Sequence, residues 1–466
     1  MGTMRGAGIM LAAITVTIAA GVARSGDELP RYRLEPGMEL SYKGSSEFQH
    51  QNGAHLDDQE TTAWVVRRNG DGSVRVVLRQ GSRFTSTSLA DSLKGLLKKK
   101  DKPPMEYNLG YVDLFPDGRI GPDTELGYRI NTDALFPRLP DDETQAKAGW
   151  SQRDDRMGQE FRYSSLRAEE GGWAFHSERV GSENKIYGMT FKSTFHLDAA
   201  RGAIRRIENE YTQDYGFKGK GGGSIELTSV ETHDAAWLAA FVPAAERYFA
   251  ASKDYRRATE QASQAADKAK SLLADAKAAL ESARTAIDHP IFREQLDRQI
   301  SQHDGMVSYY ADSAKRRAEV LNKAAADWEL QGLDGKSHAL KEYRGKVVVL
   351  DFWYRGCGWC IKAMPQLNAL AEQFEGRPVA VLGMNTDRKE EDAKFVCEAM
   401  GLKYATLRAE GIPEKYGVQG FPTLIVIDPE GTVRDVHVGY SPTLRTDVAK
   451  TIEGLLTPEA KPSDKL

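Results

Sequence analysis

A chain of 466 residues has room for about three domains of roughly 150 residues each. Its 63 Lys and Arg against 67 Asp and Glu leave a formal net charge of −4, which excludes the global basic field that would recruit nucleic acid. With 40% hydrophobic and 28% charged residues the composition is that of a soluble globular protein, and three cysteines in all exclude a disulfide framework.

The first stretch differs from the rest. Arg5 is followed by an uncharged run from Gly6 to Ala23, closing on the small residues Gly21-Val22-Ala23. Residues 1–24 therefore read as a secretory signal, with an uncleaved N-terminal anchor as the alternative. No cysteine lies near the run, so a lipoprotein anchor is excluded. A periplasmic or secreted protein is the expectation.

From 27 to 233 the periodicity is two. Val74, Val76 and Leu78 fall on one face of a strand and Arg75, Val77 and Arg79 on the other, after the turn signal Asn69-Gly70-Asp71-Gly72. Phe191, Ser193, Phe195 and Leu197 alternate likewise, and the pattern resumes through Ile204 to Tyr211. An antiparallel all-β domain, a curved sheet or sandwich, follows from this. The glycines Gly219 to Gly223 lack the spacing of a phosphate loop and read as a hairpin tip. The basic cluster Lys98-Lys99-Lys100 with Lys102 reads as a solvated loop. The scattered histidines show no ligand spacing, so no metal and no cofactor is proposed.

Near Asp234 the composition turns to Ala, Lys, Glu, Gln and Arg, broken at Asp288-His289-Pro290. Leu273, Ala276, Leu280, Ala283 and Ile287, then Leu296, Ile300, His303 and Val307, recur at spacings of three and four. The pattern predicts an α-helical coiled-coil hairpin over 234–327, with intramolecular packing preferred to dimerisation. The oligomeric state does not follow from it.

Strands and helices then alternate over 328–456, which predicts an α/β domain on a mixed sheet with helices on both faces. A polar tail, 457–466, ends the chain. Within this region the stretch Val347 to Leu367 runs from buried-strand residues through Asp351-Phe352-Trp353 and a turn into Cys357-Gly358-Trp359-Cys360. A cysteine at a helix start meets unpaired N–H groups and the positive end of the helix dipole, which stabilises its thiolate. Cys357 is thus the candidate nucleophile, and Cys360, one turn on, the resolving thiol. No second cysteine pair exists to complete a zinc site. Cys397, on a predicted helix, reads as a buried inert thiol, with a third redox cysteine as the alternative.

Asp351-Phe352-Trp353, the Cys-x-x-Cys, Pro365 five positions later, Gly420-Phe421-Pro422-Thr423 before a strand, and Gly439 after the last strand resemble the thioredoxin family. The added hairpin and the signal resemble its extracytoplasmic TlpA/ResA-like branch. The resemblance implies a thiol-disulfide oxidoreductase acting on protein thiols and disulfides, reductase direction favoured, with electrons from a membrane-embedded donor. It implies that Pro422 is a cis-proline facing the dithiol, and that Asp351 is a buried carboxylate moving protons for Cys360. Phe421, Trp353 and Trp359 are the substrate-binding side chains implied. Gly358-Trp359 departs from the proline that many members carry before the second cysteine, and Arg355 adds a cation that favours thiolate. Two alternatives remain: an envelope ligand-binding protein whose β-domain is primary, and a thiol peroxidase.

Overall fold

The computed structural model describes residues 29–51, 53–88, 103–125, 130, 132, 135–154, 159–180, 186–215, 218–264 and 268–457. The expected signal, the cluster at 98–102 and the tail beyond Thr457 lie outside the described residues.

The first domain is one antiparallel sheet. Its strands are β1 (Met38–His50), β2 (Gly53–Arg68), β3 (Val74–Ser88), β4 (Glu106–Leu114), β5 (Trp150–Asp154), β6 (Gln159–Tyr163), β7 (Arg167–Glu169), β8 (Gly172–Val180), β9 (Thr190–Asp198), β10 (Ala203–Gln213) and β11 (Gly219–Thr232), with a short helix α1 (Glu143–Ala148) before β5. The order is β4-β3-β2-β1-β11-β10-β9-β8-β6-β5, and β7 pairs with β8. Leu40, Val65 and Val76 from one half share a core with Phe175, Phe195 and Ile207 from the other, so the sheet curls around its own side chains. The expected alternation is met: Val74, Val76 and Leu78 enter this core, as do Phe195 and Leu197.

Glycines 219–223 are a correction, because they lie inside β11 rather than at a hairpin tip. A Cβ on Gly219 would stand 2.4 Å from the Phe48 ring, and one on Gly221 would stand 2.8 Å from Tyr211. These rings, stacked 5.5 Å apart, lie across the bare glycine strand. Glycine here serves close approach, not chain reversal.

The helical region is also corrected. Three helices follow, α2 (Ala235–Gln264), α3 (Ala269–Ala286) and α4 (Pro290–Val320), where a two-helix hairpin was expected. Arg247 of α2 donates to the Ala286 carbonyl, and Ser252 and Tyr255 of α2 reach Gln299 and His303 of α4. The three therefore run up, down and up. The break between α2 and α3 carries neither Gly nor Pro. Folding back buries Leu273, Ala276 and Leu280 of α3 with Tyr255, Ala258 and Ala262 of α2, and this tertiary gain overrides the propensity for one long helix. The bundle covers the sheet: Trp64, Val66, Val77 and Tyr111 share its core with Phe241, Tyr248 and Phe249. Strand β2 is consequently buried on both faces over 63–66.

The last domain opens with a hairpin of β12 (Glu329–Gln331) and β13 (Ser337–Ala339), paired antiparallel. A five-stranded mixed sheet follows, ordered β16 (Ala405–Arg408), β15 (Val379–Asn385), β14 (Val347–Trp353), β17 (Thr423–Ile427), β18 (Val433–Val438). Strands β14, β15 and β16 are parallel, while β17 and β18 are antiparallel. Helices α5 (Gly358–Gln373) and α7 (Leu444–Leu456) pack on Val347 and Val349, and α6 (Glu390–Met400) packs beside them on Trp353. The opposite face, Val348, Leu350 and Phe352, is covered by Trp328, Leu340, Ile412 and Tyr416. Helices on both faces were expected; these helices share one face, and short 3-10 turns with the entry segment cover the other.

Candidate active site

Strand β14 is buried at every position, as a central strand covered on both sides must be. Its alternation puts Val347, Val349, Asp351 and Trp353 on the helix side. The chain then turns through Tyr354-Arg355-Gly356 to Cys357, the N-cap of α5. The turn is fixed from below: Arg355 N–H donates to Asp387 Oδ2 at 2.8 Å, and Asn385 Nδ2 donates to the same oxygen at 2.8 Å. Burial raises the Asp387 carboxyl, against the lowering effect of these donors.

Cys357 and Cys360 form a disulfide with their Cα atoms 5.2 Å apart. Cys360 N–H donates to Cys357 Sγ at 3.1 Å, so one of the otherwise unpaired amides in the first turn of α5 points at that sulfur. Cys357 is 6% exposed and Cys360 is 1% exposed.

Asp351 lies beneath the helix that begins at the dithiol, and it is fully buried. Burial pushes its carboxyl up to about 7, opposed by the Tyr404 hydroxyl, which donates to Oδ2 at 3.1 Å. Tyr404 in turn is held well above its ordinary value by burial and by the adjacent carboxylate. Sequence reasoning missed Tyr404, since nothing in its local pattern marks a partner 53 residues from Asp351.

The Phe421–Pro422 peptide is cis. Phe421 meets Tyr354 edge to face at 5.2 Å, and Trp359, 37% exposed, stacks on Tyr440 at 5.4 Å. Trp359 is available at the surface, while Phe421 is half-buried against the cluster that holds the two cysteines. Trp353 is a correction: expected to bind substrate, it is wholly buried among Ile361, Met364 and Val396, because strand alternation points it into the domain. Its indole Nε1 finds no acceptor among the described residues and lies against Gly383, where a Cβ would come within 2.9 Å.

Arg355 does not reach over the sulfurs as a free charge. Its Nη1 pairs with Asp392 at 2.8 Å, and its guanidinium stacks over Tyr215 at 3.9 Å and Phe395 at 4.5 Å. Its Nε and Nη2 donate to the Ile186 carbonyl at 2.9 and 2.6 Å. Ile186 and Tyr215 belong to the β-domain, and no sequence signal linked them to the dithiol. Cys397, on α6, shares a contact of 3.5 Å with Thr406 Oγ1, and burial raises its thiol. That environment disfavours thiolate.

Elsewhere, the ligand-type atoms of Glu39, Glu231 and His233 lie within 4.8 Å of one another. Two of the three are engaged with protein: Glu39 Oε2 accepts from Trp64 Nε1 at 2.8 Å and meets His233 Nε2 at 2.7 Å.

The C-terminal domain, a mixed five-stranded sheet with a Cys-x-x-Cys disulfide at a helix start and a cis-proline just before β17, has relatives among known proteins. A model of the AhpC/TSA family matches residues 321–436. The thiol-disulfide oxidoreductase ResA of Geobacillus thermodenitrificans is 28% identical over 153 residues, 32% of this chain and 87% of that protein. ResA of Bacillus anthracis is 31% identical over 133 residues, 28% of this chain and 75% of that protein. Among solved structures, the thioredoxin domain of a thiol-disulfide oxidoreductase from Bacteroides vulgatus is 30% identical, with 28% of this chain and 97% of that one covered and a TM-score of 0.27. Through its C-terminal domain the chain belongs to the thioredoxin-like family of thiol-disulfide oxidoreductases. It is an enzyme of that class.

Proposed function

We propose that the protein works outside the cytoplasm as a reductase of protein disulfides, through the dithiol of Cys357 and Cys360. The observation that carries this reading is the disulfide at the start of α5, with Cys360 N–H aimed at Cys357 Sγ. A thiolate at Cys357 gains from that donor and from the helix dipole, which supplies the nucleophile that disulfide exchange needs in either direction, and the reductase direction is taken from the resemblance to the extracytoplasmic branch of the family. Arg355 adds little, since Asp392 answers its charge.

The Cys357 thiolate attacks a substrate disulfide, one substrate sulfur leaves as thiolate, and a mixed disulfide forms. Cys360, its proton passed to Asp351, then attacks the Cys357 sulfur. The Cys357–Cys360 bond forms, the second substrate thiolate leaves, and the substrate has gained two electrons. An electron donor in the membrane restores the dithiol. Pro422 and the Phe421 backbone position an extended substrate segment, with Trp359 beside them. Residues 1–24 carry the export signal, 27–233 and 234–327 form the accessory region, and 328–456 the catalytic domain.

Insulin reduction by the full chain with dithiothreitol as donor tests the reading. Cys357→Ser abolishes it, and Cys360→Ser halts it at the mixed disulfide. Equal activity in Cys357→Ser and parent sinks the assignment. Equilibration with glutathione decides direction: a couple more reducing than glutathione supports a reductase, and a more oxidising one an oxidase.

A further inference from the structure

Residues 186–189, just before β9, reach the other domain. Ile186 is completely buried, and the side chains that bury it are those of the catalytic site, Trp353, Cys357, Cys360, Ile361 and Met364. Its carbonyl accepts both Nε and Nη2 of Arg355, two residues before the nucleophile. The Tyr187 hydroxyl stands 3.7 Å from where a Cβ on Gly358 would lie, between the two cysteines. Tyr215, beyond the end of β10, stacks on the Arg355 guanidinium from the β-domain side. The turn is pinned at its base, where Asp214 N–H donates to the Gly188 carbonyl at 3.1 Å.

We propose that the turn at Ile186 is a shield carried by the β-domain over the dithiol, and that disulfide exchange requires it to withdraw. Attack on a disulfide needs the incoming sulfur in line with Cys357 Sγ. With Cys357 only 6% exposed beneath a foreign isoleucine, a polypeptide has no such approach. The contact is built to part. Among the described residues it consists of the Ile186 and Tyr187 side chains, one carbonyl shared by two N–H donors and one cation–π stack, and Ile186 is the one buried member of its cluster that the β-domain supplies. Tyr354, against Phe421, and Trp359, stacked on Tyr440, stay exposed while Cys357 is covered. A substrate can therefore land before the shield leaves, and displacement selects partners that bind this platform over small thiols and oxidants that do not.

The proposal rests on the dithiol reading, but its test is separate from catalysis. The reduced full-length chain is treated with a neutral maleimide, and the modified cysteine is identified by peptide mapping. The minor state of a two-state element is commonly populated at about 0.1–10%, and reactivity confined to it falls by that fraction, so uncovering Cys357 raises its alkylation rate by about tenfold or more. Ile186→Ala is expected to show that rise with the glutathione equilibrium unmoved. Tyr215→Ala, which removes the stack without touching the core, gives the same direction and decides the matter if Ile186→Ala does not fold. Alkylation of Cys357 in both variants at the parent rate overturns the shield. Faster alkylation with no insulin reduction in any form upholds the shield and sinks the reductase reading.

Discussion

At the scale of residues, the pair Asp351 and Tyr404 sets the pH behaviour of the site. Burial holds the Asp351 carboxyl at about 7, above its unfolded value near 3.9. Between these values the native state keeps a proton that the unfolded state has released, so stability falls as pH rises through that window and levels off above it. At about 1.36 kcal/mol for each pH unit that separates the two values, the penalty reaches a few kcal/mol. Asp351→Asn is therefore expected to raise the urea midpoint at pH 8 and to leave it near the parent value at pH 4. Its turnover moves the other way. With the proton acceptor for Cys360 gone, insulin reduction falls by about 10²-fold at pH 8 and the inflection near 7 disappears. A variant whose pH–rate profile keeps that inflection would remove Asp351 from proton transfer. The cysteine pair at a helix start and the burial of Asp351 were legible because they sit in one contiguous strand–turn–helix stretch. Trp353 was misread in that same stretch, where burial is set by which face the helices cover. Ile186 lies 169 residues from Arg355 in the chain, and an isoleucine in a turn carries no local signature of what it will cover.

At the scale of elements, alternation marked the strands well because each buries one face in the curled core, and Val74, Val76 and Leu78 show it plainly. It failed where a second layer exists. Val77 and Trp64 point away from that core yet are buried, since the helical bundle lies on them. The bundle's third helix was hidden for a related reason: three-and-four spacing continues across the break at 264–269, and only packing shows the chain reversing. Phe241 is the hinge of this second core, with its ring 5.3 Å from Trp64, 4.4 Å from Trp237 and 5.2 Å from Phe292. Phe241→Ala deletes a wholly buried ring and should cost about 3–5 kcal/mol. Hydrogen exchange locates the loss: amides of α2 and α4 lose protection, while those of β14 keep theirs. Uniform loss across both would mean that the bundle and the catalytic sheet unfold as one unit.

At the scale of the molecule, the catalytic domain is held at two places among the described residues. One is the shield at Ile186. The other is a strap after α4, where Asn322 N–H donates to the Val433 carbonyl at 2.7 Å, Val433 N–H to Lys323 at 2.9 Å and Ala325 N–H to Gly431 at 2.9 Å. Arg317, in the last turn of α4, donates to Asp435 Oδ1 at 2.9 Å, and Thr451 donates to its other oxygen at 3.0 Å. This strap makes the shield an intramolecular contact, so a small patch stays occupied through its effective concentration rather than through area. Burial alone would raise the Asp435 carboxyl, but His437, the Val436 amide and Thr451 together hold it well below the usual carboxylate range. A depressed native value means that its stabilisation is complete above the unfolded value and disappears as pH falls through the native one. Asp435→Asn should cost about 2 kcal/mol at pH 7, in the range for hydrogen bonds to a charged group, as read from urea unfolding. The gap between parent and variant should begin to close below about pH 4, where the unfolded carboxylate takes its proton. A gap of constant size down to pH 3 would show that Asp435 holds the strap through shape and neutral hydrogen bonds, and that the charge between α4 and the catalytic domain contributes nothing to the joint.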